Sequence, residues 1–196
     1  LHAGLPRVGA ESVGETNLDV PETVQSGAKE LWELPWYAEY LESKTVAAGK
    51  STVKLTAAEI FEHSEDTVIT AKGEIKTTDS GFVEYKFQVP ADGSYHFRLT
   101  YLTGEGSGLN YTRRIFIDGA APFREAYELQ FRRIWQDDPS EKKKFDRYGN
   151  QFTPAQTEVG GTVADFAYDN SGIYDEPLCF RLTKGEHKLR IVSVSE

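Results

Sequence analysis

The side chains in this sequence best suited to chemistry are aromatic rings standing beside planar amides and carboxylates. They are Asn110-Tyr111, Trp135 among Arg132, Arg133, Asp137 and Asp138, Tyr148 close to Asn150, and Tyr168-Asp169-Asn170. An exposed ring can stack on the C–H face of another ring, while flanking amides and carboxylates read the orientation of hydroxyls; holding a sugar requires both. Tyr111, Trp135, Tyr168 and Asn170 are the first candidates, with Asn110, Asp169, Tyr148 and Asn150 as their neighbours. Each aromatic also has a plainer use, packing in core or loop. Trp135 stands apart because its charged neighbours place it at the end of an element.

Other chemistries find less to work with. Asp169-Asn170-Ser171-Gly172 with Asp175 and Glu176 is rich in oxygen ligands but lacks the spacing of an EF-hand loop, so a hydrated turn is expected. His2, His63, His96 and His187 are scattered, the last two on strand faces expected to be exposed, and no zinc site follows. The glycines at 104, 106 and 108 have the wrong last spacing for a dinucleotide fingerprint and read as turn residues. A glycosidase needs two carboxylates across a cleft, and none of the 31 acidic residues is singled out as such a pair. Nucleophile elbow, metalloprotease helix and Cys–His motif are all missing from the sequence, so the chain is expected not to be an enzyme. The single cysteine, Cys179, cannot form an internal disulfide and is expected to be a small buried hydrophobe between Leu178 and Phe180.

The elements that must position these residues are mostly strands. Val83, Tyr85, Phe87 and Val89 alternate with Glu84, Lys86 and Gln88, which is the pattern of a half-solvated strand. After Pro90-Ala91-Asp92-Gly93, Tyr95, Phe97, Leu99 and Tyr101 alternate in the same way, and an antiparallel hairpin is expected. Val53, Leu55 and Ala57 predict a first strand, Ile115 and Ile117 a further one before Asp118-Gly119, and residues 178–191 a final pair around Lys184-Gly185. Residues 119–178 form a long irregular insertion, within which Tyr127, Leu129 and Phe131 favour a strand although Phe123, Tyr127 and Phe131 also fit helical spacing. Pro35 with Trp36/Tyr40 and Tyr37/Leu41 predicts a short helix near residues 35–42, expected to staple the preceding segment to the sheets. Residues 1–30, rich in Gly, Ser, Thr, Glu and Pro, read as a linker or flexible arm, leaving 31–196 as one β-sandwich domain.

Composition agrees. The 196 residues suffice for one domain with a real core, and the aromatics are mainly Tyr and Phe, which suit pleated surfaces. A net charge of −9 sets the summed field against nucleic acid and anionic lipid. No stretch reaches the roughly 20 apolar residues of a membrane-spanning helix, and Leu1 to Gly9 lack the zones of a signal peptide, so a soluble fragment without membrane insertion is expected.

Four stretches together resemble carbohydrate-binding modules of families six and thirty-five and related galactose-binding-like jelly rolls. They are Ala58-Glu59, Phe82 to Tyr95, Ile115 to Gly119, and Leu182 to Leu189. A second likeness, carried by Tyr37 to Leu41, Arg147-Tyr148-Gly149-Asn150, Pro154-Ala155-Gln156 and Tyr174 to Leu178, is to modules fused to large extracellular solute-binding proteins of Firmicutes. Together these likenesses span residues 36–194. The resemblance implies an all-β antiparallel jelly roll that binds oligosaccharide or polysaccharide without transforming it. The parent would be a secreted or cell-surface bacterial protein whose other domains adjoin it. Members of that family often use two Glu ligands for a structural calcium; Glu59 matches the second and Ala57 replaces the first. No cofactor is therefore expected, and Glu59, Asp169 and Asp175 are the carboxylates a calcium ion would draw on. Two other functions remain open on the residues: a structural or protein-interaction sandwich without a sugar site, and a small jelly-roll glycosidase or polysaccharide lyase.

Overall fold

The computed structural model describes residues 31–43, 47–48, 51–78, 80–103 and 110–194. One short helix, α1 (Tyr37–Ser43), precedes the strands β1 (Ile60–His63), β2 (Val68–Ile69), β3 (Ile75–Lys76), β4 (Phe82–Val89), β5 (Gly93–His96) and β6 (Arg98–Thr103). Then follow β7 (Tyr111–Ile117), β8 (Leu129–Phe131), β9 (Trp135–Asp137), β10 (Gln156–Glu158), β11 (Gly161–Phe166), β12 (Cys179–Leu182) and β13 (Gly185–Val194). The chain is an all-β antiparallel sandwich. The expected linker at residues 1–30 and the turn glycines at 104, 106 and 108 lie outside the described residues.

One layer is a five-stranded sheet in the order β1-β4-β13-β7-β8. Its period-two pattern turns Val83, Tyr85, Ile115, Leu189 and Ile191 inward. The other layer is built on β5 and β6, which follow one another with only Phe97 between them. β12 pairs with β5 and β11 with β6, so these two strands lie end to end along one edge. Between them residues 168–177 loop out, and the loop closes where Leu178 N donates to Ala167 O at 2.8 Å. Phe97, Leu99, Tyr101 and Phe180 from this layer pack with the inward residues of the first, around the fully buried Phe123, Leu129, Phe131 and Leu178.

Alternation located β4 and β5 but not their partners. The expected hairpin across Pro90–Gly93 is an arch: β4 pairs with β1 and β13, while β5 pairs with β12. Residues 183–184 are a second arch, so β12 and β13 lie in different layers instead of pairing. Lys184 N donates to Asp92 Oδ1 at 2.6 Å and pins the arches together. The strand expected at Val53–Ala57 is also absent. Residues 51–56 alternate in burial, but Thr56 and Glu59 form a capping box over a 3-10 turn at Ala57–Glu59, and pairing begins at Ile60. Residues 119–178 are far from irregular, yielding a 3-10 turn at Arg124–Tyr127 and the strands β8 to β11.

The helix docks on the sandwich, and the segment it is expected to staple, residues 1–30, lies outside the described residues. Tyr37 Oη accepts from Cys179 N at 2.8 Å and Tyr40 Oη from Arg181 N at 2.7 Å, so two tyrosines satisfy the outward N–H groups of β12 where another strand would otherwise pair. Burial pushes the Tyr37 hydroxyl up to about 12, keeping it protonated in this role. Arg181 returns the contact, donating to Leu41 O and Ser43 Oγ with its guanidinium over the Tyr40 ring. Cys179 is therefore half-buried beside His96 on the face opposite Leu178 and Phe180, not a core residue. His187 also departs from expectation. It is buried, in phase with Leu189 and Ile191, and its Nδ1 lies 2.7 Å from Asp118 Oδ2.

Candidate functional site

Three structures carry the candidate residues: the rim where β6 and β8 end and β7 begins, an arm that leaves it, and the 168–178 loop. Residues 134–159 double back as a long β-ribbon. Val159 N donates to Ile134 O at 2.7 Å, β9 pairs with β10, and Phe145 bridges Gln151 near the tip.

At the arm's base, Trp135 is the direct cross-strand partner of Glu158, which puts both side chains on one face of the ribbon. Arg133, two residues before Trp135, shares that parity. Both Glu158 carboxylate oxygens lie 2.9 Å from Arg133 Nη1. The guanidinium, almost wholly buried, sits 4.3 Å from the centroid of Tyr111, whose ring meets Tyr101 edge-on at 5.6 Å. Tyr101 Oη in turn donates to Arg132 O at 2.7 Å. A series of contacts thus runs from the layer interior through Tyr101, Tyr111 and Arg133 to Glu158, the cross-strand partner of Trp135, which is 47% exposed at the surface. Such backing anchors the ribbon base and leaves about half of Trp135 uncovered. Stacking on an apolar ring face requires that arrangement.

Asn110 belongs to the same rim. Its amide accepts from Arg133 N and donates to Gln130 Oε1, both at 3.4 Å, while leaving the residue exposed. Asn170 arrives from the 168–178 loop. Its Oδ1 accepts from Gln130 N at 3.0 Å and its Nδ2 donates to Glu128 O, so the amide pairs with the free edge of β8 as a strand would. Both hydrogen-bonding ends of Asn170 are spent on backbone. Asp169 is also turned inward: it is buried, with Ser171 Oγ donating to one oxygen at 2.5 Å and Ile173 N at 2.9 Å. Burial pushes its carboxyl up, but the hydrogen bonds from Ser171, Ile173 and Tyr174 outweigh this and hold it below the usual carboxylate range. The loop's polar residues thus organise the loop, and only Tyr168 of its candidate trio keeps a ring partly open to solvent.

Tyr148 and Asn150 are far along the arm, at its tip. Asp146 accepts from Tyr148 N, Asn150 N and the Asn150 amide, and Gly149 takes the left-handed conformation (φ 85°) that the turn requires. Asn150 is therefore a turn residue, while Tyr148 is 73% exposed with the Arg147 guanidinium 4.6 Å over its ring. The structure joins Asn110, Tyr111 and Trp135 at one rim, ties Asn170 to β8 beside them, and leaves Tyr148 and Asn150 elsewhere.

Arg133 and Glu158 are the site residues that sequence reasoning did not propose. For Arg133 a signal existed, since strand parity puts it on the face of Trp135. For Glu158 none did, because only the fold of the arm brings it opposite. The carboxylates considered for calcium are differently engaged. Glu59 accepts from Thr56 N and Oγ1 at 2.6 and 2.7 Å, bonds that lower its pKa, and Asp175 is exposed. Among the described residues no group of three or more His, Cys, Asp or Glu converges on one point, and no helix is long and apolar enough to cross a membrane.

No protein-family model matches the chain, and no curated protein matches it either. Among solved structures it is similar to a cycloisomaltooligosaccharide glucanotransferase of Paenibacillus sp. complexed with cycloisomaltoheptaose, at 18% identity over 76% of this chain, with a TM-score of 0.36. The chain spans only 18% of the length of that enzyme. It is also similar to a family 35 carbohydrate-binding module from Clostridium thermocellum, at 13% identity over 78% of this chain and 87% of the other, with a TM-score of 0.33.

Proposed function

We propose that the chain is a non-catalytic carbohydrate-binding module of a secreted bacterial protein, holding a glycan at the rim where the arm begins. The observation that carries this reading is Trp135: a half-exposed indole on a ribbon base anchored by the bidentate Glu158–Arg133 contact and the Arg133–Tyr111 stack. A sugar laid on the indole meets Asn110 as a neighbouring amide able to read a hydroxyl, and Glu158 beside Trp135 as a carboxylate fixed in place. Tyr111 supports the site through Arg133 and is not itself a platform. Such a shallow surface site buries one or two ring faces, which implies a dissociation constant of roughly micromolar to millimolar once ordering costs are met.

The test is a glycan array followed by calorimetric titration of each hit, using plant and bacterial oligosaccharides. Trp135→Ala is expected to weaken binding at least about tenfold, equivalent to about 1.4 kcal/mol, with an unchanged melting temperature. Silence across a broad panel, or full binding by Trp135→Ala, would overturn the reading. Release of reducing ends from any bound polysaccharide would replace it with the hydrolase reading.

A further inference from the structure

From the tip of the arm we infer a second interaction surface, one that adsorbs to an anionic lipid interface. The inference does not depend on sugar binding at the rim.

The chain as a whole is acidic, but its charge is not evenly spread. Residues 141–152 carry Lys142, Lys143, Lys144 and Arg147 against only Glu141 and Asp146. Both acids are engaged within the arm. Glu141 accepts from Ala155 N and pairs with Lys144, and Asp146 accepts the three hydrogen bonds that shape the turn. Among the described residues Lys142 and Lys143 make no ion pair, and the Arg147 guanidinium lies over Tyr148 without a carboxylate partner. The tip therefore presents cations on a body whose net charge is −9.

Apolar rings accompany the cations. Phe145, Phe152 and Tyr148 are 58%, 56% and 73% exposed. Phe145 bridges Gln151, and Phe152 N donates to Lys144 O at 2.9 Å, so alternation along the ribbon puts Phe145 and Phe152 on opposite faces with Tyr148 at the turn between them. A strip lying on a flat polymer would use one face. Rings on both faces and at the apex instead suit a tip that dips into a medium surrounding it, with lysines and an arginine left at the headgroups.

Entry into such an interface is costly for backbone groups that lose water, and here five N–H groups of the tip are already paired. The N–H groups of Asp146, Tyr148, Gly149, Asn150 and Phe152 all donate within the tip. Among the described residues the hydrogen bonds of residues 136–157 likewise close inside the arm, so adsorption need break none of these bonds.

Sedimentation of the whole chain with phosphatidylcholine vesicles, with and without phosphatidylglycerol, tests this. The chain is expected to pellet with the anionic vesicles, less at high salt, and to stay in solution with the neutral ones. Replacing Lys142 and Lys143 by Gln should weaken binding by roughly fivefold for each charge removed. Phe145→Ser together with Phe152→Ser should abolish it at an unchanged melting temperature, and a Tyr148→Trp reporter should shift its emission to the blue on vesicle addition. Failure to pellet with anionic vesicles overturns the inference. So does full binding by the double Phe variant, or equally tight binding to dextran sulfate, since either would make the tip a general polyanion reader.

Discussion

The 168–178 loop and the arm at 134–159 have much the same vocabulary of Asp, Asn, Gly and Tyr, yet the sandwich uses them in opposite ways. In the loop, Asp169 and Asn170 point back at backbone, one shaping the turn and the other closing the edge of β8. In the arm, Asp146 and Asn150 do the same at the tip, but Trp135, Phe145, Tyr148 and Phe152 are left outside. Polar residues in these connections build structure, and the aromatics that such structure fails to cover are where binding can occur. A search for polar clusters finds the scaffold, whereas exposure of rings on that scaffold finds the surface.

The largest effect that would test this contrast is expected at the point where the arm is rooted. Arg133 is 3% exposed in its side chain and Glu158 14%, so Arg133→Met strands a half-buried carboxylate and removes the stack under Tyr111. A loss of about 3 kcal/mol in urea unfolding is expected, together with loss of any glycan binding. A cost under about 1 kcal/mol would mean that the arm's base is solvated and the indole is not rigidly placed.

Asn170→Ala should divide the two regions. It leaves Gln130 N and Glu128 O without their side-chain partner, so a loss of about 1–2 kcal/mol is expected, softened by water at the exposed edge. Glycan binding measured by titration should survive, because Arg133 holds Glu158 opposite Trp135 without help from Asn170. If Asn170→Ala removed binding while leaving stability alone, the loop would have to be counted with the site.

Much of the fold was legible because period-two alternation is a local property. The inward column of β4, the positions of β7 and β13, and the helix at Tyr37 were all readable from neighbouring residues. Partnership was not, since a strand that continues into a hairpin and one that arches into the other layer have the same alternation and the same turn residues. Pro90–Gly93 and Lys184 show this at both arches. The site was half legible. Trp135 stood out by its charged setting, but Tyr148 and Asn150 had equal claim by composition, and only the length of the ribbon separates them from the rim. His187 was misplaced by chemistry rather than by pattern: its parity with Leu189 and Ile191 placed it inward, and its polarity argued otherwise.

That histidine gives the smallest effect, at the end of the sandwich where the arches are pinned. Nδ1 lies 2.7 Å from Asp118 Oδ2, and Nε2 lies 2.9 Å from Thr183 O, so both ring nitrogens face acceptors and only the imidazolium can donate to both. Burial works against the charged form, yet the hydrogen bonds to Asp118 and Thr183 outweigh it and raise the imidazole above its ordinary 6.5. A raised pKa in the folded state stabilises the fold fully below 6.5, and that contribution is lost as pH rises through the folded-state value. The change should stay under about 1 kcal/mol, because Asp118 is half exposed and screened. Urea melts across this range should show stability falling as pH rises, and Asp118→Asn should flatten the slope. A histidine resonance titrating at or below 6.5, or a slope unchanged by Asp118→Asn, would show that the arches are held by Lys184–Asp92 and packing alone.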